Sequence, residues 1–335
     1  DGSPSTFYWA DNVTFPDSGA NTAITIASPA APASMTFPAN TALYTITASG
    51  VNQLTGNGAL LKSGTALLTL SGANAYTGGS TLSKGETRVQ TAGALGTATV
   101  TLGNASTGAD NVSLYLDTNR VSFGTPVVVS NNGTGTMTLG SRSTVTGSGD
   151  NNQFTNITLQ RDVIFDANAA DRTDFETISG TGNITINGTG RALFMTANTF
   201  TGNVTINNTN TLGLQIGTNS TAFNAIPDAS NVTINAGSTM ALSFTAGGSE
   251  TIGGLSGAGT VRQNGGSANT LIVGSGNANG SFSGAINNVG GAISFSKTGT
   301  GTQTLSGTNS AYTGVTTITA GVLEAAALAN GGTNS

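Results

Sequence analysis

Charged side chains gather in one stretch of the chain, and their types suggest two kinds of chemistry. The members are Asp150, Arg161, Asp162, Asp166, Asp171, Arg172, Asp174 and Glu176. Calcium prefers several loop carboxylate oxygens, which makes Asp162, Asp166, Asp171 and Asp174 weak calcium candidates. A carbohydrate-active β-helix enzyme would also need carboxylates and an arginine on one external face. The spacing lacks the Asp-x-Asp-x-Asp-Gly calcium loop, so we favour a solvated loop with Arg–Asp ion pairs of little energetic value.

The composition excludes most other chemistry. The 335 residues include no Cys and no His, which removes thiolate nucleophiles, imidazole bases and the commonest metal ligands. We therefore predict no catalytic residue, no enzymatic activity and no cofactor, with calcium the one cofactor left open. A net charge of −5 with 10 basic residues predicts no nucleic-acid partner. No apolar run approaches the roughly 18 residues of a membrane span, so this segment is not expected to insert.

Short runs in which Val, Ile or Leu alternate with Thr, Ser or Asn predict an all-β protein. Examples are Leu67–Leu70, Asn183–Ile186, Val204–Ile206, Val232–Ile234 and Thr316–Ile318. Gly, Asn, Asp and Ser fall between these runs, as turns require. Many Asn residues begin Asn-x-Ser/Thr patterns, among them Asn183, Asn203 and Asn231. We interpret these patterns mostly as chance matches in a Thr- and Asn-rich chain, together with its alternating strand pattern.

One phrase occurs three times. The copy Gly64–Gly78 returns as Gly188–Gly202, and again as Gly299–Gly314 with one extra residue beside Asn309. Repetition at fixed offsets indicates units that stack and bury their apolar faces against each other. We therefore predict a parallel β-helix of about 20–25 residues per coil. The expected organisation is one continuous, elongated rod over residues 1–335, with repeat copies near 58–90, 182–214 and 291–325.

An Asn and an aromatic residue recur together in the copies. The recurring residues are Asn74 and Tyr76, Asn198 and Phe200, and Asn309 and Tyr312. An exposed aromatic stripe would suit sugar stacking. The preferred interpretation is structural: the Asn bonds its own turn and the ring plugs a corner against the next coil, because stacking demands the same residue at each corner.

The repeated phrase resembles the autotransporter-associated β-strand repeat of bacterial passenger domains. Its pattern is roughly Lys-x-Gly-x-Gly-x-Leu-x-Leu-x-Gly-x-Asn-x-Tyr-x-Gly, followed by a Thr-rich strand and Gly-x-Leu. The first copy matches at Lys62, Gly64, Leu68, Leu70, Gly72, Asn74, Tyr76, Gly78 and Gly85. The third copy matches at Lys297, Gly299, Gly301, Leu305, Gly307, Asn309, Tyr312, Gly314, Gly321 and Leu323. The middle copy departs from the pattern, since Arg191 occupies a strand position, Phe200 replaces the Tyr and no Lys precedes Gly188.

This resemblance implies a right-handed parallel β-helix that is exported and displayed at the cell surface, and it implies no activity. The first functional hypothesis is a stalk or a self-assembling extracellular fibre or matrix subunit. The alternative is an adhesin or glycan-binding passenger that uses the charged stretch from Asp150 to Glu176. A carbohydrate-active enzyme is the least favoured hypothesis.

The ends of the chain suggest partners. Residues 1–50 are expected to include an N-terminal cap, because Phe7, Tyr8 and Trp9 form the densest aromatic run. A β-solenoid has open edges that expose unpaired backbone groups. The expected partners are therefore other copies of the chain, joined head to tail, or surface glycans.

Overall fold

The computed structural model describes residues 8–142, 151–168, 172–217 and 224–326. Within these ranges the protein is built of β-strands, and its one helical element is the short 3-10 turn Ser275–Asn277. None of the described helical structure has the length and apolarity of a membrane span. The chain divides into two compact units, residues 1–164 with 169–171, and residues 165–168 with 172–335.

The first unit contains two parallel sheets whose strands follow chain order. The first sheet contains β1 (Asn12–Thr14), β3 (Ser34–Phe37), β5 (Ala59–Lys62), β7 (Ser80–Leu82), β9 (Val100–Leu102), β12 (Val127–Val129) and β14 (Asn151–Leu159), with β11 (Ser122–Phe123) beside β14. The second contains β2 (Ala23–Thr25), β4 (Tyr44–Thr47), β6 (Leu68–Ser71), β8 (Gly85–Val89), β10 (Val112–Leu116) and β13 (Met137–Ser141). Strand β15 (Val163–Ala167) has residues in both units.

The second unit contains three parallel sheets. One contains β16 (Arg172–Gly180), β18 (Arg191–Phe194), β20 (Leu214–Ile216), β22 (Thr239–Leu242), β25 (Thr260–Gln263) and β28 (Ala285–Asn287). Another contains β17 (Ile184–Asn187), β19 (Val204–Ile206), β21 (Val232–Ile234), β24 (Leu255–Gly257), β27 (Gly280–Phe282), β30 (Thr302–Leu305) and β32 (Val322–Ala325). The third contains β23 (Gly248–Ile252), β26 (Asn269–Val273), β29 (Ile293–Lys297) and β31 (Thr316–Ile318).

Apart from strands at the ends of the sheets and β11, each strand pairs in parallel with the strand one coil earlier and the strand one coil later, which defines a β-solenoid. Ile184 pairs with Val204, and Val204 pairs with Val232. The prediction of an all-β parallel solenoid is confirmed. Coil length varies more widely than the expected range of about 20–25 residues: the coil from Leu68 to Thr87 is shorter, and the coil from Ser122 to Gln153 is longer.

The core is a stack of inward-facing apolar side chains. Leu70, Leu193 and Leu305, one from a strand of each copy, are all buried. Burying such a side chain contributes about 1.5–3 kcal/mol relative to leaving it in water. Because side chains alternate between faces along a strand, a shift of one residue would expose this whole set, and the alternation therefore determines the register.

Candidate functional site

Asn74 lies inside the first unit and joins three coils. Its Oδ1 accepts the N–H of Leu54 at 2.9 Å, one coil earlier, and its Nδ2 donates to the carbonyl of Ala94 at 2.8 Å, one coil later. The sequence-based expectation was a bond within its own turn. The structure differs because the side chain points inward, where the unpaired groups are those of the neighbouring coils. A buried backbone group left without a partner would cost about 1–3 kcal/mol.

Asn198 forms the same bracket in the second unit. Its Oδ1 accepts the N–H of Ile178 at 2.7 Å, and its Nδ2 donates to the carbonyl of Ala225 at 2.7 Å. Both asparagines are buried. The two copies therefore share a hydrogen-bond geometry as well as residue types.

In the third copy this place is held by Ser310. Ser310 Oγ accepts the N–H of Ile286 at 3.2 Å, and the next residue, Ala311, donates its N–H to the carbonyl of Ile286 at 3.0 Å. The N–H of Ala75 donates to the carbonyl of Leu54 in the same way in the first copy. Asn309 is exposed. The extra residue in this copy therefore moves Asn309 off the equivalent position.

The recurring rings are all buried. Tyr76 OH lies 2.7 Å from Ser80 Oγ, and Tyr312 OH lies 2.7 Å from Thr316 Oγ1. Phe200 has no hydroxyl, and the residue four positions later is the buried Val204. The polar pair of the first and third copies is thus replaced as a pair in the middle copy. None of the three rings has a face open to a sugar.

Two buried lysines were not selected from the sequence as site residues. Lys62 Nζ donates to the carbonyls of Gly64 at 2.6 Å and Lys84 at 2.7 Å. Burial lowers the pKa of Lys62 to about 8, against the opposing effect of Glu86. This ammonium ties the turn after its own strand to the turn of the next coil.

Lys297 repeats the arrangement in the third copy. Its Nζ donates to the carbonyls of Thr298, Gly299 and Ala320 at 2.5, 2.9 and 3.4 Å. Burial lowers the pKa of Lys297. The following Gly321 has φ +71, and a Cβ there would come within 2.4 Å of the carbonyl of Gly299. The sequence signal for this arrangement of a buried lysine and turn carbonyls was the Lys-x-Gly pattern together with the later glycine of the repeat, Gly85 or Gly321.

Glu250 was also missed. It is buried in β23, and its Oε1 and Oε2 accept the N–H groups of Ile226 at 2.6 Å and Ala225 at 3.4 Å. Burial raises the pKa of Glu250 to about 8, although these N–H bonds act in the opposite direction. The carboxyl thus accepts a backbone N–H from the preceding coil, as Asn198 does. A single Glu inside a β-run carried no sequence signal for this role.

The charged stretch is not the solvated loop that we expected. Its described residues lie largely in β14, β15 and β16, because apolar residues alternate through it and are buried. Asp150 and Asp171 lie outside the described residues. Arg161 donates to the carbonyls of Asn132, Gly133 and Gly135, so its guanidinium binds a turn of the preceding coil.

The remaining acids are dispersed. Asp162 is exposed, and Asp166 accepts a bond from Asn168 Nδ2 at 2.7 Å. Asp174 is buried, with its Oδ1 3.0 Å from Nε of Arg172. Burial raises the pKa of Asp174 to about 6, against the lowering effect of Arg172. In the part of the chain that the structure describes, no three acidic side chains approach closely enough to hold a metal ion, so calcium gains no support there.

At the N-terminal side, two aromatic side chains face solvent. Trp9 is 76% exposed and Tyr8 is 66% exposed, while Phe7 lies outside the described residues. The N–H of Tyr8 donates to Asp11 Oδ2 at 2.8 Å, which closes the turn that presents both rings. The described part of the expected cap, residues 8–50, contains β1 to β4 in parallel coil register.

The second unit carries regular rows of asparagine on its outside. Asn183 Oδ1 accepts the N–H of Asn203 at 2.8 Å, and Asn203 Oδ1 accepts the N–H of Asn231 at 3.0 Å. Asn231 Oδ1 in turn accepts the N–H of Gly254 at 2.7 Å. These three asparagines begin Asn-x-Thr patterns. The pattern therefore has a structural cause: Asn bonds the next coil, the middle residue is buried and Thr faces outward.

Comparisons with known proteins give the class of this chain. The profile of the passenger-associated transport repeat family matches residues 60–89 and 295–325. These segments contain the first and third copies and both buried lysines. The chain therefore carries passenger repeats, and it is an exported passenger segment that lies outside the cell or on its surface.

One characterised relative is similar over a short stretch. It is named "Adhesin BmaC autotransporter", from Brucella suis biovar 1 (strain 1330), and is 52% identical over 67 residues. The match covers 20% of this chain and 2% of that adhesin, so this chain corresponds to a very small part of its length. No solved structure matches the chain.

Proposed function

We propose that this chain is a structural stalk segment that extends an exported passenger away from the cell. Each coil continues the backbone hydrogen-bond ladder and the apolar stack of the coil before it. The bracket made by Asn74 carries this proposal, since one side chain satisfies backbone groups on both neighbouring coils. Asn198 repeats it. A side chain so placed is of use only inside a stack of coils.

The test changes the number of coils without changing their register. Thr185 pairs with Thr205, so residues 185–204 make one whole coil. Inserting further copies of 185–204 after Val204 keeps every strand in phase. Each inserted coil should lengthen the stalk by about 4.8 Å. The measurement is fluorescence energy transfer between a dye in the membrane and a fluorescent tag attached to the far end of this segment, with the passenger displayed on cells.

The control inserts half a coil, a second copy of residues 185–194. This insertion moves the strands that follow it half a coil away from the strands with which they pair, and it should abolish protease resistance and display. The stalk function would be refuted if whole-coil insertions left the tag at an unchanged distance while the passenger remained folded and displayed.

Adhesion is the second candidate function, and the name of the relative favours it. Its proposed contact surface is the exposed part of the charged stretch, such as Asp162. Asp162→Asn should then weaken binding of displaying cells to host matrix, whereas a pure stalk would show no change. The enzyme hypothesis remains the least favoured, and the head-to-tail fibre remains a prediction.

A further inference from the structure

One outward face of the second unit is a regular lattice of uncharged polar side chains. The face lies on β17, β19, β21, β24, β27 and β30. Its central row consists of Thr185, Thr205, Thr233, Ser256, Ser281 and Thr304, which pair strand by strand. Each of these residues lies next to at least one buried residue of its strand, so its hydroxyl lies on the outside of the sheet.

Two further rows flank the central one. The row before it contains Asn183, Asn203, Asn231 and Asn279, all exposed. The row after it contains Asn207, Asn235, Ser283 and Ser306, also exposed. Hydrogen bonds hold these rows in place: Asn235 Nδ2 donates to Asn207 Oδ1, and Asn279 Oδ1 accepts the N–H of Thr302 at 2.7 Å.

The lattice carries no charge over these six strands. Charged side chains lie on the strands at both ends of the lattice: Asp166 in β15, which is next to β17, and Glu324 in β32, which accepts a bond from Thr304 Oγ1 at 3.0 Å. The neighbouring sheet of the same unit, in contrast, includes Arg172, Arg191 and Arg262. The rows repeat at the coil spacing of about 4.8 Å, with outward positions about 6.6–7 Å apart along each strand.

We propose that this lattice binds a neutral polysaccharide. The absence of charge removes the attraction that an anionic glycan or nucleic acid would need. Hydroxyl and amide groups both donate and accept hydrogen bonds, as sugar hydroxyls do. A polymer with a short repeat can meet the same groups on successive coils, and many weak contacts then add into useful avidity. The proposal goes beyond the stalk function and does not depend on it.

The test is depletion of the full chain from solution by insoluble polysaccharides. The probes are cellulose and chitin, which are neutral, and alginate gel, which is anionic. We expect depletion by at least one neutral polymer, with little effect of added salt because no ion pairs are involved. The double variant Thr205→Lys with Thr233→Lys places two charges in the central row. It should reduce binding about tenfold or more, because contacts on adjacent coils are lost together.

The matched control is Thr45→Lys with Thr69→Lys. These residues also pair strand to strand on the outside of a sheet, in the first unit. The control should bind as the unchanged chain does, and circular dichroism should show that both variants are folded. The proposal is overturned if the unchanged chain binds neither neutral polymer, if it binds only alginate, or if the variant at Thr205 and Thr233 keeps full binding.

Discussion

The copies at residues 64–78 and 188–202 share the asparagine bracket but have different corner plugs. Tyr76 pairs its hydroxyl with Ser80 in the first. Phe200 sits before Val204 in the second. The corner therefore tolerates either a hydrogen-bonded pair or an apolar pair, because each leaves no buried polar group without a partner. The bracket position has less freedom, since its partners are backbone groups that need a polar side chain, which is Asn in these two copies and Ser310 in the third.

The largest expected effect comes from removing a bracket. Asn74→Ala leaves the N–H of Leu54 and the carbonyl of Ala94 buried without partners, and it should destabilise the first unit by about 3 kcal/mol. Asn198→Ala should cost a similar amount in the second unit. Chemical denaturation measures the loss, and hydrogen exchange at the Leu54 amide locates it.

Asn309→Ala is the matched control for that experiment. Asn309 is exposed, so the change should stay within about 0.5 kcal/mol. If Asn309→Ala and Asn74→Ala lost the same stability, the assignment of the bracket by its hydrogen bonds would be wrong, and the alignment of the two asparagines in the sequence would be the better guide.

Glu250 tests whether an ionisable group can accept the buried N–H groups of a preceding coil, as the asparagine of a bracket does. Its pKa rises from the ordinary 4.5 to about 8 in the folded protein. The folded state therefore holds the proton more tightly, and stability should fall as the pH rises from about 4.5 to about 8. Glu250→Gln should remove most of the change of the denaturation midpoint with pH over this range. A pH slope that persists in the Gln variant would assign it to another group.

Exchanging the corner plugs should have an intermediate effect. Phe200→Tyr places a hydroxyl beside Val204, where it has no partner, and should cost about 2 kcal/mol. Adding Val204→Ser restores the pair of the first copy and should recover more than half of that loss. A double-mutant cycle measures the coupling. Strictly additive costs would mean that the two positions are independent.

The smallest effect is expected from Tyr76→Phe. Ser80 Oγ still donates to the carbonyl of Leu95 at 3.1 Å, so only one hydrogen bond is lost. The cost should be about 1 kcal/mol by thermal or chemical unfolding. Ser80→Val in the Tyr76→Phe background reproduces the apolar pair of the middle copy and should not destabilise further.

The alternation of apolar and polar residues along the chain predicted the strands and their buried faces, since the face on which a side chain lies depends only on its position in its own strand. It placed Leu70, Leu193 and Leu305 inside, and the repeated phrase located the corners. The roles of polar residues could not be read in this way. Lys62 was recognised only as a match to the repeat pattern, with no indication of its partners, and Glu250 had no distinguishing context. The charged stretch was taken for a loop because charges outweighed the alternation of its apolar residues.

The sequence by itself therefore determined the class of fold, the repeat and the inward apolar set. Only the tertiary structure decided that Asn74 bonds two other coils, that Ser310 replaces Asn309, and that Lys62 and Lys297 bind carbonyls inside the stack. The physical reason is distance along the chain. A side chain's face is set locally, whereas the partners of a buried polar group belong to the coils before and after it, and varying coil lengths hide which residues those are.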